Sequence, residues 1–118
     1  MRIGLKYKGE KINLDLKVCN SFEKFSGLMF TKKENAKALL FNFEKPTKTA
    51  IHSYFVFFHF VAIWLDDKDK IIELKFVKPF EFFIAPREPF SKLIEIPINS
   101  KYEEVVKLLV EDYKKLKK

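Results

Sequence analysis

The fold is decided by residues 51–65, which read IHSYFVFFHFVAIWL. Within them an unbroken run from Tyr54 to Leu65 is apolar apart from His59. Because a helix that spans a membrane needs about 20 apolar residues, this shorter run is interpreted as protein core. Its residues are apolar at both odd and even positions, which is typical of a strand buried on both faces. The stretch therefore predicts a central strand or a bent pair of strands.

Strands with one buried face are predicted on either side of this stretch. Apolar and charged residues alternate at Arg2–Lys8 and at Lys11–Val18, and Gly9–Glu10 between them favours a tight turn. These segments are therefore predicted to form a hairpin. Further strands are predicted at Ala38–Phe43, Lys70–Val77, Phe82–Ala85 and Lys92–Ile98, with turns at Pro46–Thr49 and Asp66–Asp69.

Two helices are predicted from their capping patterns. Asn20 with Glu23 is a variant of the capping box, and Gly27 follows where a helix end favours a left-handed residue. Ser100 with Glu103 is a second capping box. It opens an apolar stripe at helical spacing, which consists of Tyr102, Val105, Val106, Leu109, Tyr113 and Leu116. The predicted fold class is α+β: a mainly antiparallel small barrel or sandwich, with a short helix in the N-terminal half and a C-terminal helix packed on the sheet.

The composition is typical of a single domain covering residues 1–118. The single cysteine, Cys19, excludes an internal disulfide, so a reducing cytoplasm is the expected location. The N-terminal residues lack the apolar stretch of a signal peptide, and abundant Lys and Glu lean towards a heat-adapted source. The chain contains 14 Phe, whose side chains carry no polar tip and are therefore expected in a dry core.

Several segments, in the same order, are similar to the family called domain of unknown function 192. Gly27-Leu28-Met29-Phe30 matches its Gly-Leu-Met-Phe signature, and residues 38–43 resemble its apolar strand with paired Phe. Residues 51–58, followed by Ile63-Trp64-Leu65-Asp66, resemble a block that reads Ile-His-Met-aromatic-Phe and ends in Phe-Leu-Asp in archaeal members. Ser91–Ile98 is similar to the family's last strand, so the resemblance covers most of the chain.

This resemblance implies an archaeal-type member of the family with a small, β-rich, barrel-like domain. It implies no established reaction, cofactor or substrate. The chain departs from the family at two positions, since relatives usually carry Pro in place of His59 and Asp in place of Val61. If that Asp has a function elsewhere in the family, this chain lacks it.

The residues suited to catalysis or metal binding form no convincing set. His52 and His59 are seven residues apart and would face opposite sides of one regular strand, so they cannot share a metal without a bulge. A lone cysteine such as Cys19 is more often a small buried hydrophobe than a nucleophile. The acidic turn Asp66–Asp69 lacks the length, central Gly and terminal Glu of a calcium loop. We therefore predict no catalytic residue, no metal site and no cofactor.

The first functional hypothesis is a non-enzymatic β domain that binds a small ligand or a protein. Its candidate contacts are Met29, Phe30, His52 and Tyr54, with the first two placed at the lip of a pocket. The alternative for Met29 and Phe30 is that Gly27 caps a helix and the residues after it seal the core. A third-ranked hypothesis is an enzyme that uses His52 together with a carboxylate that the sequence does not identify.

The second hypothesis is a basic domain that binds nucleic acid. Residues 1–33 hold eight basic and three acidic side chains, and residues 101–118 hold six and four, within a net charge of +7. If these segments are neighbours, they form a patch that attracts phosphate polymers. The candidate contacts are Lys6, Lys8, Lys11 and Lys17. A merely solubilising surface is the alternative, because Arg is scarce and the Phe residues are expected in the core rather than on a stacking platform. No contact with a membrane is expected.

Overall fold

The computed structural model describes residues 1–19, 28, 31–51, 53, 55–81 and 83–109, except for the side chain of Glu44. Its strands are β1 (Arg2–Tyr7), β2 (Glu10–Asp15), β3 (Lys17–Cys19), β4 (Leu39–Thr47), β5 (Phe60–Leu65), β6 (Ile71–Val77) and β7 (Phe90–Pro97). Its helices are the 3-10 turns η1 (Lys33–Asn35) and η2 (Ser100–Tyr102) and the α-helix α1 (Glu103–Leu109). The short helix predicted from Asn20 to Gly27 lies outside the described residues, as do Tyr113 and Leu116.

The strands form two sheets. β1 and β2 make a two-stranded sheet, and the other five strands pair in the order β3-β4-β7-β5-β6. All pairs are antiparallel except β3 and β4, which run parallel. The mainly antiparallel class with a C-terminal helix is thus confirmed. The predicted barrel is wrong for the described strands, because β3 and β6 remain the open edges of the larger sheet.

The predicted N-terminal hairpin is present, with its turn one residue earlier than expected. Tyr7 pairs with Glu10, so the two turn residues are Lys8 and Gly9, at φ 49° and 82°. Positive φ at both positions defines the type of turn that matches the twist of two-residue hairpins. The second hairpin strand ends at Asp15, earlier than predicted, because the next residues join the larger sheet as β3.

The larger sheet is buried on both faces, as the apolar stretch predicted. Val61, Ile63 and Leu65 of β5 pack in a core shared with the hairpin and with Val106 and Leu109 of α1. Phe60, Ala62 and Trp64 of the same strand pack in a second core on the opposite face. That core also contains Cys19, Leu28, Ala36, Val56, Phe58, Ile84 and Phe90. β5 therefore lies inside the sheet, between β7 and β6.

Residues before β5 differ from the prediction. Of the described residues there, Ile51 alone makes a strand-like contact, in an isolated bridge to Ile84. For the described part of Phe82–Ala85, this bridge replaces the predicted strand. The turn predicted at Pro46–Thr49 is partly wrong, since β4 continues to Thr47. The C-terminal helical segment opens with the 3-10 turn η2, whose cap is Asn99 and not the predicted Ser100, since the Asn99 side chain accepts a hydrogen bond from the N–H of Lys101. The α-helix α1 follows only at Glu103.

Candidate functional site

The residues predicted to hold a small ligand or a protein are not among those described. Met29, Phe30, His52 and Tyr54 all lie outside the described residues, together with Gly27. The first hypothesis and the His52 enzyme therefore stay predictions. The described surface instead contains a charged groove and an exposed group of aromatic side chains.

The groove lies between the hairpin, the start of β3 and the C-terminal turn η2. It has a volume of about 530 Å³. Four of its lining side chains are basic, namely Arg2, Lys17, Lys37 and Lys101. A single lining residue, Asp15, is acidic. The remaining lining residues are Asn13, Leu14, Leu16, Tyr102 and Val105. We call this feature the cationic groove.

Strand pairing explains why distant basic residues meet there. Lys17 pairs with Leu39 at the start of β4, and Leu39 pairs with Glu95 near the end of β7. Lys37 precedes β4 and Lys101 follows β7 along the chain. Antiparallel strands place the start of one beside the end of the next, so both lysines lie at the same sheet end as Lys17.

Hydrogen bonds hold the walls of the groove in place. The N–H of Ala38 donates to the hydroxyl of Tyr102 at 2.8 Å, and the carbonyl of Ala38 accepts from the N–H of Lys17 at 3.0 Å. The side-chain amide of Asn99 donates to the carbonyls of Lys33 and Ala36 at 2.8 and 3.1 Å. The start of β4 is thus tied both to β3 and to the C-terminal turn. These hydrogen bonds fix the relative backbone positions of the basic residues around the groove.

The structure brings only one of the four predicted lysines into the groove, which is Lys17. Lys6 and Lys11 are cross-strand partners in the hairpin and are exposed. Lys8 lies in the hairpin turn, with Nζ 5.5 Å from the centre of the Tyr7 ring. Sequence analysis missed Arg2, Lys37 and Lys101 as a group. The density of basic residues near the N-terminus could suggest Arg2. Lys37 and Lys101, in contrast, lie close together only because of the order of the strands in the sheet.

His59 lies just before β5. Its ring stacks on Phe76 with centroids 5.0 Å apart. Burial lowers the pKa of His59, and the charges of Lys78 and Lys33 lower the pKa further, against a weaker opposite effect of Glu81. The ring therefore favours the neutral form.

Among the Phe residues that the structure describes, four have exposed side chains, contrary to the expectation that Phe occupies the core. Phe55, Phe57, Phe80 and Phe83 are 47%, 63%, 46% and 81% exposed. The Phe80 ring meets the rings of Phe57 and Phe55 edge-on, at centroid distances of 5.3 and 6.5 Å. We call these four residues the exposed aromatic cluster. Phe55 and Phe57 lie in the segment that follows β4, and Phe80 and Phe83 lie in the segment that follows β6. Hydrogen bonds of Ser53 join the two segments.

Two buried polar side chains lie in the second core. Glu95 is 6% exposed and pairs with Leu39 and Ala62 in the neighbouring strands. Burial raises the pKa of its carboxyl group to about 8. Trp64 is fully buried, and its Nε1 has no hydrogen-bond partner among the described residues. These groups make the second core less apolar than the sequence pattern suggested.

The remaining candidates have structural surroundings. Cys19 is buried in the second core, as the packing interpretation predicted. The Asp66–Asp69 segment is the turn between β5 and β6, where Asp66 Oδ1 accepts from the N–H groups of Lys68 and Lys70 at 2.9 Å each. Val61, one of the two positions at which the sequence departs from the expected family pattern, is fully buried in the apolar core shared with the hairpin. The described residues contain no group of three potential metal ligands.

The sequence of this chain matches a known protein family. Residues 4–107 match the family domain of unknown function 192, described as an uncharacterised ACR family. The chain therefore belongs to this family, as the resemblance indicated.

Similar proteins are found in the archaeal genera Pyrococcus and Thermococcus. A UPF0127 protein of Pyrococcus furiosus is 25% identical over 91 residues, which are 76% of this chain and 78% of that protein. A UPF0127 protein of Thermococcus sibiricus is 30% identical over 97 residues, 80% of this chain and 62% of the relative. One from Thermococcus kodakarensis is 29% identical over 95 residues, 78% of this chain and 59% of the relative.

Two solved structures share the fold. A protein of unknown function from Novosphingobium aromaticivorans superposes with a TM-score of 0.71 at 14% identity, covering 89% of this chain and 77% of that one. A protein from Sinorhizobium meliloti, described as a proposed transcription regulator, superposes with a TM-score of 0.71 at 16% identity and covers 89% and 83%. At these identities the likeness establishes the fold alone. Within the described part of the chain, no helix has the length and apolar character that crossing a bilayer requires.

Proposed function

We propose that this protein is a non-enzymatic binding domain that holds a phosphate polymer, namely a nucleic acid, in its cationic groove. The observation that carries this proposal is the meeting of Arg2, Lys17, Lys37 and Lys101 around one groove with a single acidic residue. A row of cations at fixed spacing attracts phosphates and releases the counterions bound to them.

The surroundings of the groove favour a long polymer over a single small anion. Lys6 and Lys11 extend the positive charge along the outer face of the hairpin. A ligand whose charges repeat along its length can contact all of these places at once. A small anion would use only one.

Lysine dominates this surface, and that sets the expected type of recognition. Arg2 is the one arginine that lines the groove. Lysine contacts phosphate as a mobile point charge, whereas arginine reads bases and phosphates with a planar fork. We therefore expect binding that depends on backbone charge with little preference for base sequence. The description of the Sinorhizobium protein as a proposed transcription regulator is compatible with such a role.

The test is a titration of a fluorescein-labelled single-stranded RNA of about 12 nucleotides, followed by anisotropy at several salt concentrations. Affinity should fall steeply as salt rises. The double variant Lys37→Glu/Lys101→Glu should bind at least about tenfold more weakly, because each substitution replaces attraction by repulsion. The matched control is Lys68→Glu/Lys70→Glu, which makes the same charge change on exposed lysines of the turn at the opposite sheet end. Equal affinity of the two double variants would refute the groove as the binding site.

A further inference from the structure

The exposed aromatic cluster lies at the same end of the larger sheet as the cationic groove. Phe60, which begins β5, pairs with Val77, which ends β6, and with Pro97, which ends β7. Phe57 and Phe80 therefore lie just beyond the sheet end at which β3 and β4 begin. β4 and β6 are separated by three strand spacings, or about 15 Å. The groove lies on the face of the core shared with the hairpin and the cluster adjoins Val56 of the second core, so the strand also passes round the sheet end. Stacked nucleotides rise about 3.4 Å each, so at least four or five of them are needed.

Basic residues stand at both ends of this distance. The Asn99 side chain accepts from the N–H of Lys101, at the groove, and donates to the carbonyl of Lys33. Lys78 directly follows the last residue of β6 and lies two residues before Phe80. Lys33 is therefore tied to the groove, and Lys78 lies in the same segment as the aromatic cluster.

The protein holds the aromatic cluster in position through its backbone. Phe55, Phe80 and Phe83 have positive φ values of 58°, 60° and 49°, an unfavourable region for bulky residues. Unfavourable backbone conformations that persist in a fold are concentrated at functional sites. Ser53 is fully buried beneath the cluster. Its backbone carbonyl accepts from the N–H groups of Phe80 and Val56 at 2.9 and 3.2 Å, which joins the two segments.

We propose that the exposed aromatic cluster stacks on the bases of a single-stranded nucleic acid whose phosphates lie in the cationic groove. This rests on the proposed function and narrows the ligand to a strand with accessible bases. Aromatic side chains beside a basic track are the arrangement by which proteins bind single strands without reading their sequence, because every base has a flat face. Charge complementarity selects this occupant, since the cationic groove and the cluster, with Lys78 beside it in the chain, share one sheet end.

The test compares two labelled oligomers of equal length and charge, one with bases and one abasic throughout. The wild-type protein should bind the oligomer with bases at least about fivefold more tightly, which is the low end of the stacking contribution of one base. Phe57→Ala and Phe57→Leu should both lose this preference, because leucine is apolar but has no ring. Leu108→Ala, which truncates an apolar side chain 48% exposed on α1, should retain it. Thermal unfolding of each variant verifies that it is folded.

The outcomes separate this inference from the proposed function. Equal affinity of the wild-type protein for both oligomers would overturn the stacking role and leave the groove proposal intact. Binding of neither oligomer would overturn both. Binding to phosphatidylglycerol vesicles that Phe57→Leu keeps and Phe57→Ala loses, with no preference between the oligomers, would assign the cluster to a lipid surface and overturn the inference.

Discussion

The hydroxyl of Ser53 donates a 2.6 Å hydrogen bond to the carbonyl of Lys78, which lies 25 residues further along the chain. The same hydroxyl accepts a hydrogen bond from the N–H of Glu81. The segment that follows β4 is thereby fixed to the segment that follows β6. Because Phe57 and Phe80 lie on these two segments, the Ser53 side chain acts together with the backbone hydrogen bonds of Ser53 to fix the geometry of the exposed aromatic cluster.

Replacing Ser53 by alanine should lower the free energy of unfolding by about 1–3 kcal/mol. The substitution removes the buried hydroxyl and leaves the N–H of Glu81 without it, and an unsatisfied buried donor carries a cost of this size. Urea denaturation followed by circular dichroism measures the difference. Ser91→Ala, at a half-buried position in β7, is the control and should change the free energy by less than about 0.5 kcal/mol. Equal effects of the two substitutions would contradict the role given to Ser53.

Asn99 and Ser100 should differ sharply in their importance for the C-terminal helix. Asn99→Ala should lower the free energy of unfolding by at least about 1 kcal/mol, because it removes the cap and the bonds to the carbonyls of Lys33 and Ala36. Ser100→Ala should have little effect, since the exposed Ser100 is not the capping residue. Urea denaturation of both variants measures this difference. A larger loss for Ser100→Ala than for Asn99→Ala would show that Ser100 is the capping residue, as the sequence predicted.

Glu95 should make the protein less stable as the pH rises. Its pKa in the folded protein is about 8, above the ordinary value of 4.5, so between these values the folded state binds a proton that the unfolded state has released. The contribution of Glu95 to the free energy of unfolding should therefore be most favourable below pH 4.5. It should then fall by up to about 1.4 kcal/mol per pH unit towards pH 8.

The isosteric variant Glu95→Gln separates this effect from other titrations. Its advantage over the wild-type protein should grow between pH 5 and pH 8 and reach several kcal/mol, because a neutral amide has no charge to desolvate. Urea denaturation at both pH values measures the difference. The exposed control Glu88→Gln should change stability by less than about 0.5 kcal/mol at each pH. A pH-independent difference for Glu95→Gln would show that its carboxyl group is not desolvated.

Phe83→Gly tests the backbone conformation of the exposed aromatic cluster. Phe83 is 81% exposed with φ 49°, so glycine loses little burial there and relieves the clash that a Cβ causes in the left-handed region. The expected result in urea denaturation is an unchanged or higher free energy of unfolding. Leu108→Gly, at an exposed helical position, should instead lose about 1 kcal/mol. Equal losses for both variants would argue against a left-handed residue at Phe83.

Local patterns predicted the elements whose partners are close in sequence. Alternation at Arg2–Lys8 and the glycine after it sufficed for the hairpin, since both strands and their turn lie within a few residues. The apolar residues on both faces of β5 correctly indicated a central strand. β3 was missed as a separate strand, because its parallel pairing with β4 spans a long connection that periodicity does not reveal.

The functional surface was harder to predict for the same reason. Lys37 and Lys101 meet only because β4 and β7 are neighbours, and no spacing in the sequence encodes that order. Phe55 and Phe57 were expected in the core because they stand in an apolar run that resembles a strand. The hydrogen bonds of Ser53 and the positive φ of Phe55 interrupt that strand and leave the rings exposed. These backbone conformations depend on contacts with a segment that is distant in the sequence.

The most direct test of the central claim is a map of backbone amide chemical-shift changes in the ¹⁵N-labelled protein on addition of the single-stranded oligomer of about 12 nucleotides. The account predicts shifts at Leu16, Lys17, Lys37 and Lys101 around the groove, continuing to Phe57 and Phe80 at the same sheet end. The turn at Asp66–Asp69 should remain unchanged. Shifts confined to that turn, or an absence of shifts at low salt, would contradict a nucleic-acid site in the cationic groove.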